Sequence, residues 1–518
     1  MKKALIFLHK WLGVALALLF LIWFASGLVL YFVPFPSLTQ AERFAGQPTL
    51  QAGAACCLTA QQAADRAGLA FSEARLGMHA GAPVWRLLAA ATGPSGGRAG
   101  ERRWTVLDAA SGKVLPVLNG AQAAAVAERF SGRRALHAEL LERDQWTVGQ
   151  GFNAYRPLLR VELEGPEGLE LYVSPSAAEV VAETRRGERA WNWVGAVPHW
   201  IYFTELRRWP ELWHNVVVWL SLPGVLLALT GVVLGIWQLY LNRSRWIPYR
   251  QFWMRWHHIL GLAASVVTVT WIFSGLLSMN PFSVFSPRAA TPAEKRNWSG
   301  KAGAATVNPA RALQLAALQQ PREIDLVQLD GQSWYRVRGA SGAGDLALLR
   351  ADDPDPAVLK ALPEAALRAS LLALRRHEGA AGAPELARLS DYDDLYYARE
   401  VNSASAYTRP LPVWRARWAD GVTVYADPTS ARLLLRADGS NRWQRLLYNG
   451  LHSFDFAPLT ARPWLRTALI VLFSLMGVAM CATACVLAWR VLVPRKAGVR
   501  HAKTRDILLV SPVAGRRR

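Results

Sequence analysis

Four long apolar stretches constrain this chain more than any other feature of its sequence. They lie at about residues 12–32, 216–239, 259–279 and 468–489. An α-helix rises about 1.5 Å per residue, so each stretch is long enough to cross a hydrocarbon layer of roughly 30 Å. None of the four contains an aspartate or a glutamate. The sequence therefore predicts an α-helical membrane bundle of four transmembrane helices rather than a soluble protein.

The distribution of basic residues predicts how these helices are oriented. Most of the formal net charge of +21 lies in residues 1–10, 240–256 and 490–518. These three segments fall on one side of a four-span topology, and clustered lysine and arginine are typical of the cytoplasmic side. Both termini are therefore expected in the cytoplasm, and the charge does not indicate nucleic-acid binding. The first stretch is too long for a cleaved signal peptide, so we expect it to remain as an anchor in the lipid.

Two large segments between the spans, 36–198 and 283–451, are predicted to lie outside the cytoplasm as α+β domains. GAPVWRLLAA and QSWYRVRG are typical of strands, whereas LTAQQAADRAGLA and PEAALRASLLALRRH have the apolar face of helices. Residues 91–101 and 340–345 are rich in glycine and are predicted hairpin tips. The predicted organisation is 1–35 (N-terminus and first span), 36–198 (first external domain), 199–240 (interfacial segment and second span), 241–256 (basic loop), 257–282 (third span), 283–451 (second external domain), 452–492 (interfacial segment and fourth span) and 493–518 (basic tail).

The two halves of the chain repeat each other. At an offset of 248 residues, His9 aligns with His257, Leu12 with Leu260, Gly13 with Gly261, Trp23 with Trp271, Ser26 with Ser274 and Gly27 with Gly275. At an offset of 253, Tyr172 aligns with Tyr425, His199 with His452, Gly224 with Gly477 and Thr230 with Thr483. Each half contributes two spans, an even number, so a pseudo-two-fold axis along the membrane normal is expected to relate the halves.

Six of the ten histidines lie at or near the ends of the spans: His9, His199, His214, His257, His258 and His452. Ionisable groups near a bilayer are costly and are candidates for function. The pseudo-axis places His9 opposite His257 at the cytoplasmic side and His199 opposite His452 at the outer side. Two imidazoles facing each other across a flat macrocycle are the ligands of a six-coordinate b-type haem, so the sequence predicts two haems b.

Repeated small and aromatic residues accompany these histidines. Gly13 and Gly261 lie one turn after His9 and His257, where the absence of a side chain lets a porphyrin approach. Trp23 and Trp271 are expected to form an aromatic wall. Gly27 and its equivalent Gly275 are expected to allow close packing of the helices.

The sequence is also compatible with other histidine ligands and with a metal permeation path. His258 lies beside His257 and His214 follows His199, and neither has a repeat equivalent, because Lys10 and Thr467 occupy those positions. Imidazoles also bind zinc, copper and iron, so a metal permeation path is an alternative. Such a path would normally use carboxylates or thiolates in the spans. Cys481 and Cys485 are interpreted as packing residues, and the adjacent Cys56 and Cys57 are not expected to bridge each other.

Several motifs together resemble the PepSY-associated transmembrane family of bacterial inner-membrane proteins. They are LHKWLG and its copy WHHILG, then PHWIYFTELRRWPELW, YNGLHSFDF with a later RPW, and the external stretches YVSPSAAEVV and VYADPTSARLL. The resemblance implies four spans with PepSY-type periplasmic domains. For some members it also implies a dihaem reductase that reduces ferric siderophores. Carried over residue by residue, His9, His257, His199 and His452 match the histidines of the family's motifs.

The leading hypothesis is an electron-transfer protein that reduces a periplasmic ferric complex. The cytoplasmic segments are short and have no glycine-rich dinucleotide fingerprint, so the expected electron donor is a quinol or a separate cytoplasmic reductase. The alternatives are a membrane-anchored PepSY protein that binds peptides or restrains a protease, and a metal or haem permease.

The external segments have no evident nucleophile constellation. Arg156 and Arg409, in a repeated Arg-Pro-Leu, are candidates either for binding an anionic chelate or for a structural salt bridge. His79, His137 and His377 stand alone and are predicted to be surface residues.

Overall fold

The computed structural model describes residues 2–53, 56–90, 102–241, 247–301, 303–340, 344–376, 382–398 and 409–493. In chain order its helices are α1 (Lys2–Phe32), α2 (Gln40–Gly46), α3 (Ala60–Ala67), α4 (Gly120–Ser131), α5 (Arg186–Val194), α6 (Ala196–His199), α7 (Thr204–Arg207), α8 (Pro210–Leu241), α9 (Phe252–Ala263), α10 (Ser265–Ser278), α11 (Pro292–Ser299), α12 (Pro309–Ala316), α13 (Glu364–Ala373), α14 (Gly439–Gln444), α15 (Leu451–Ser453), α16 (Ala457–Thr460) and α17 (Pro463–Leu492). Its strands are β1 (Phe71–His79), β2 (Ala82–Ala89), β3 (Trp104–Asp108), β4 (Ala135–Leu141), β5 (Leu158–Leu163), β6 (Glu170–Ser174), β7 (Glu179–Thr184), β8 (Pro321–Leu329), β9 (Gln332–Gly339), β10 (Leu346–Arg350), β11 (Glu385–Leu389), β12 (Val413–Arg417), β13 (Thr423–Asp427) and β14 (Arg432–Ala437).

Three of the described helices, α1, α8 and α17, are each long and apolar enough to cross a membrane. The predicted third span is instead divided into α9 and α10, which are bent by 68° at Ala264 and make a fourth crossing if they count as one span. Next to the break the Ser265 hydroxyl donates to the Leu262 carbonyl at 2.8 Å. The chain is thus a membrane protein with three to four apolar helices.

The apolar helices pack around an aromatic centre. Phe20 and Phe24 of α1 are buried with Ile272 of α10 and with Cys481, as the packing interpretation of that cysteine predicts. Gly477 of α17 lies so close to the Phe24 ring that a methyl group there would collide with it. Small residues let helices approach closely in membranes, where packing rather than hydrophobicity holds them together.

Outside the bundle the strands form three antiparallel sheets, and one of these sheets is shared between the halves. Each half supplies a four-stranded sheet, β4-β5-β6-β7 in the first and β11-β12-β13-β14 in the second. The third sheet has the order β10-β9-β8-β1-β2-β3, so three strands from each half meet at the β1–β8 pair. At that pair Arg75 lies opposite Asp325. Arg75 and Asp325 are 250 positions apart in the sequence, and so are Gly81 and Gly331 in the turns that follow β1 and β8. Arg75 therefore lies opposite its own repeat equivalent, so the two halves meet around a local two-fold axis.

Buried charges hold this junction together. Glu323 of β8 is 1% exposed and Glu179 of β7 is 6% exposed. Arg43 of α2 pairs with both carboxylates, at 2.5 Å and 3.0 Å, and Arg75 reaches Glu179 at 2.7 Å. Burial alone would raise the pKa of Glu179, but Arg75 and the other arginines outweigh it and lower that pKa to about 2. Removing one partner from such a network would leave a buried charge uncompensated.

Two expectations about the external segments are wrong. Cys56 and Cys57 are joined by a disulfide bond, with Cα atoms 3.2 Å apart, although neighbouring cysteines were not expected to pair. His79 at the end of β1 is half-buried rather than a surface residue, and burial together with Arg86 lowers its pKa to about 4. His137 on β4 is exposed as predicted.

Some predicted features lie outside the described residues. They are the hairpin tip at 91–101, half of the tip at 340–345, His377, part of the basic loop 241–256 and the tail beyond residue 493.

Candidate functional site

Four histidines form two facing pairs at opposite ends of the helical bundle. The ring centres of His9 and His257 are 6.5 Å apart, and those of His199 and His452 are 6.2 Å apart. We call these the inner pair and the outer pair, after the predicted orientation. In each pair one histidine comes from each half of the chain. Ser26, which contacts the outer pair, lies seventeen positions after His9 in α1, so the two pairs are about 25 Å apart along the helix axis.

The inner pair is held by two repeat-equivalent threonines. His9 on α1 has its Nδ1 atom 3.2 Å from Thr230 Oγ1 and 3.3 Å from the Leu227 carbonyl of α8. His257 on α9 has its Nδ1 atom 3.1 Å from Thr483 Oγ1 of α17. Each threonine hydroxyl donates its only proton to the carbonyl three residues earlier, so its oxygen accepts from the imidazole. The proton of each ring is therefore on Nδ1, and the lone pair is on Nε2.

The outer pair repeats this arrangement with serines. His199 at the end of α6 has its Nδ1 atom 3.3 Å from Ser26 Oγ and 3.1 Å from the Trp23 carbonyl, both on α1. His452 on α15 has its Nδ1 atom 3.0 Å from Ser274 Oγ on α10. Both serine hydroxyls donate to the carbonyl three residues earlier, so they too accept from Nδ1–H. A hydrogen-bond acceptor at Nδ1 fixes the tautomer and orientation of a metal-binding histidine.

The ring separations fit one metal ion between each pair of imidazoles. An imidazole nitrogen binds a transition metal at about 2 Å and lies roughly 1.1 Å from its ring centre, so two opposed ligands have ring centres about 6 to 6.3 Å apart. Beside the inner pair lies a cavity of about 540 Å³, within the range of cofactor pockets. Gly13 and Gly261 both line it, and a methyl group added at Gly261 would meet nothing within 4 Å. The residues present therefore fit a flat macrocycle held by two histidines.

Two glycines make room for imidazole rings, a role that the sequence did not indicate. A methyl group at Gly27 would lie 2.9 Å from Cε1 of His199, and one at Gly231 would lie 2.9 Å from Cε1 of His9. Gly27 was expected to serve helix packing, whereas in the structure it makes room for an imidazole. Gly231 was not singled out because its repeat equivalent is Ala484. The hydroxyl residues were visible as repeats, but the sequence did not show what they bind.

The two remaining candidate histidines do not face a partner. His258 is 9% exposed, lines the inner cavity and packs edge-on against Tyr249, with ring centres 5.4 Å apart. It is His257, not His258, whose ring faces His9. His214 lies in the first turns of α8 and is half-exposed, whereas His199 is the residue next to His452.

Aromatic side chains fill the space between the two pairs. Trp271 contacts Phe24 and Phe454, with ring centres 5.7 Å and 5.8 Å apart. Trp23 contacts Phe20 at 6.0 Å. The indole nitrogens of both tryptophans are buried, without a hydrogen-bond partner among the described residues. The predicted aromatic wall thus lies between the two histidine pairs.

The two candidate arginines of the external segments, Arg156 and Arg409, donate hydrogen bonds to backbone carbonyls. Arg156 is 5% exposed and donates to the backbone carbonyls of Thr147 and Gly149, so it stabilises a loop, and it has no salt bridge with any of the described residues. Arg409 donates to the Leu434 carbonyl. Among the described residues, no cluster of three or more His, Cys, Asp or Glu side chains could hold a metal ion.

Paired histidines at both ends of an apolar bundle, with three antiparallel sheets outside it, define a class of multi-span membrane proteins with large external domains. The family model for the PepSY-associated TM region matches residues 7–491. The match covers almost the whole chain, so the protein belongs to this family. No curated protein matches the sequence.

Proposed function

We propose that this protein is a b-type dihaem electron-transfer protein of the bacterial inner membrane, which reduces a periplasmic acceptor such as a ferric siderophore. The observation that carries the proposal is the separation of the ring centres, 6.5 Å in one pair and 6.2 Å in the other. Both values lie close to those expected for two imidazoles on one iron. Bound haem supplies one-electron transfer at its iron.

The side chains of this chain prepare the two sites. His9 and His257 would hold the inner haem through Nε2, and His199 and His452 the outer haem. The threonine and serine hydroxyls keep the Nδ1 proton in place, so each ring presents its Nε2 lone pair. The aromatic layer around Trp23 and Trp271 fills space between the two sites. Electrons are proposed to enter from a cytoplasmic reductase or a quinol and to leave towards the periplasm.

The absorption spectrum of the full-length protein, purified from haem-replete cells, tests this proposal. A reducible spectrum of six-coordinate haem at two haems per chain is expected. A colourless protein would refute the proposal. It would favour a PepSY protein that binds peptides or restrains a protease, or a permease.

Single substitutions assign the ligands. His9→Ala and His257→Ala are each expected to abolish the same haem, because either change removes one of the two imidazoles that would hold it. His199→Ala and His452→Ala should each abolish the other haem. The matched controls are His258→Ala and His214→Ala, which should leave both haems six-coordinate, since neither ring faces a partner. Loss of a haem in either control, with its neighbour unaffected, would overturn the ligand assignment. Redox titration and haem quantification give the result.

A further inference from the structure

A second cavity, of about 500 Å³, lies in the second external domain close to His452. The segment that carries this histidine forms part of its wall on both sides, with Arg445 and Leu446 before the histidine and Phe456 after it. The Phe456 ring packs against Gly450, and a methyl group added to that glycine would lie 2.8 Å from the ring. The cavity is therefore within about two helical turns of the outer pair.

Several arginines line this cavity, and some of them have no acidic partner. Arg415 pairs with Asp393 at 3.3 Å. Arg417 and Arg442, both exposed, have no ion pair with any of the described residues. Arg445 lies over the Tyr397 ring at 4.0 Å and likewise has no ion pair within the described part of the chain.

Acidic residues only partly balance this charge. Asp393 is occupied by Arg415 and by the Tyr425 hydroxyl, which donates to it at 2.8 Å. Asp455 accepts from the hydroxyl of Tyr397. Asp394 is exposed at the cavity. Four guanidinium groups line the cavity against three carboxylates, so the lining carries a net positive charge.

Comparison with the other half shows that this charge is specific to the second half. In the first half Arg189 pairs with Glu170 at 3.0 Å. The equivalent of Arg189, at an offset of 253 residues, is Arg442, but the equivalent of Glu170 is Thr423. The arginine is thus retained while its carboxylate partner is replaced.

One further position changes in the same direction. Arg160 lies opposite Tyr172 in the first half and Arg415 lies opposite Tyr425 in the second, so Arg415 is the equivalent of Arg160, and Arg417 is the equivalent of Glu162. Arg415 and Arg417 both line the cavity. Two glutamates of one half are therefore replaced by an arginine and a threonine around one cavity of the other. A purely structural repeat would not require this inversion of charge.

We propose that this cavity binds a soluble anion that carries several carboxylate groups. Guanidinium groups match carboxylates in planar, bidentate geometry, and several of them spread around one cavity suit a ligand with more than one carboxylate. Under the proposed function, on which this identification rests, the ligand is a polycarboxylate chelate of ferric iron. The cavity then holds the chelate next to the outer pair, and its binding involves no electron transfer.

Calorimetric titration of the full-length protein in nanodiscs with gallium(III) citrate, which is redox-inert, tests the proposal. Wild type is expected to bind the complex, and Arg442→Glu and Arg417→Glu should each weaken binding by about tenfold or more. Lys113→Glu makes the same change in charge at an exposed position of the first half and should leave binding unchanged. Thr423→Glu, which restores the residue of the first half, should weaken binding like the arginine variants.

The outcomes separate the two proposals. Absence of binding, or equal binding in wild type and Arg442→Glu, would overturn the cavity assignment whatever the haem content. Binding of gallium citrate by a protein without haem would support the cavity and refute the proposed function. The titration is repeated in zwitterionic nanodiscs and in nanodiscs with phosphatidylglycerol. Equal affinity in both supports a soluble ligand, whereas loss of binding in the anionic nanodiscs would identify a lipid headgroup as the occupant and overturn the proposal.

Discussion

A single methyl group at Gly27 is expected to disturb the outer pair. In Gly27→Ala the new carbon would lie 2.9 Å from Cε1 and 3.2 Å from Nδ1 of His199. Ordinary carbon contacts begin at about 3.5 Å, so the ring has to move by roughly 0.5 Å. The hydrogen bonds of Nδ1 to the Trp23 carbonyl and to Ser26 are already 3.1 Å and 3.3 Å long and would be lengthened or lost.

The energetic cost falls on the ligand geometry rather than on the fold. Overpacking of this kind costs about 1 to 3 kcal/mol. Alanine is favoured over glycine inside a helix by roughly 0.8 to 1 kcal/mol, which offsets part of that cost. The helix should therefore persist. Loss of the partner that orients a metal-binding histidine typically lowers affinity by about 10- to 100-fold.

Gly275→Ala is the matched control, because Gly275 is the repeat equivalent of Gly27 and contacts the other histidine of the same pair. Its new carbon would lie 3.6 Å from Cε1 of His452, an ordinary contact. Haem content per chain and redox titration are the measurements. Gly27→Ala should lose the outer haem or shift its potential, while Gly275→Ala should resemble wild type. Equal behaviour of the two variants would refute the reasoning. It would mean that the distance of the new carbon from the histidine ring does not determine the effect on the haem.

Three further predictions concern other parts of the chain. Thr483→Val removes the acceptor of His257 Nδ1–H, so affinity for the inner haem should fall by about 10- to 100-fold while the outer haem is retained, as measured by haem quantification. Glu179 has a pKa below that of an unfolded glutamate, so its stabilising contribution is present above about pH 4.5 and is lost as the pH falls towards 2. Acid unfolding followed by circular dichroism should show this loss, and Glu179→Gln should remove that part of the pH dependence and destabilise the external sheets by roughly 3 to 5 kcal/mol at neutral pH. A phosphatase fused at Gly339 should be active in the periplasm and one fused at Arg505 inactive, and the reverse pattern would contradict the predicted orientation.

Much of the architecture follows from patterns that are local or repeated in the sequence. Continuous apolar runs predict α1, α8 and α17, because such runs have one low-energy structure in lipid. The fixed offset predicts that His9 and His257 lie opposite each other, and their rings are adjacent in the structure. Their role as haem ligands stays a prediction.

Other features depend on three-dimensional contacts that periodicity does not record. The bend between α9 and α10 falls inside a uniformly apolar run. The pairing of β1 with β8 joins residues about 250 positions apart, and nothing in either strand alone specifies its partner. The hydroxyl groups at the imidazoles and the unpaired arginines near His452 were visible only as residue types. Their functions depend on which atoms they approach.

The β1–β8 pair also helps to explain how the two halves can differ in sequence. A strand that lies opposite its own repeat equivalent is the contact that two identical subunits form around a two-fold axis. Separate subunits would have to find each other at their cellular concentration and would carry the same residue at every equivalent position. In one chain the association is intramolecular, at an effective concentration in the millimolar range or above for a short connection. Each half is then free to acquire its own residues, as Glu170 and Thr423 illustrate, so that a nearly symmetric frame can carry a binding site on one side only.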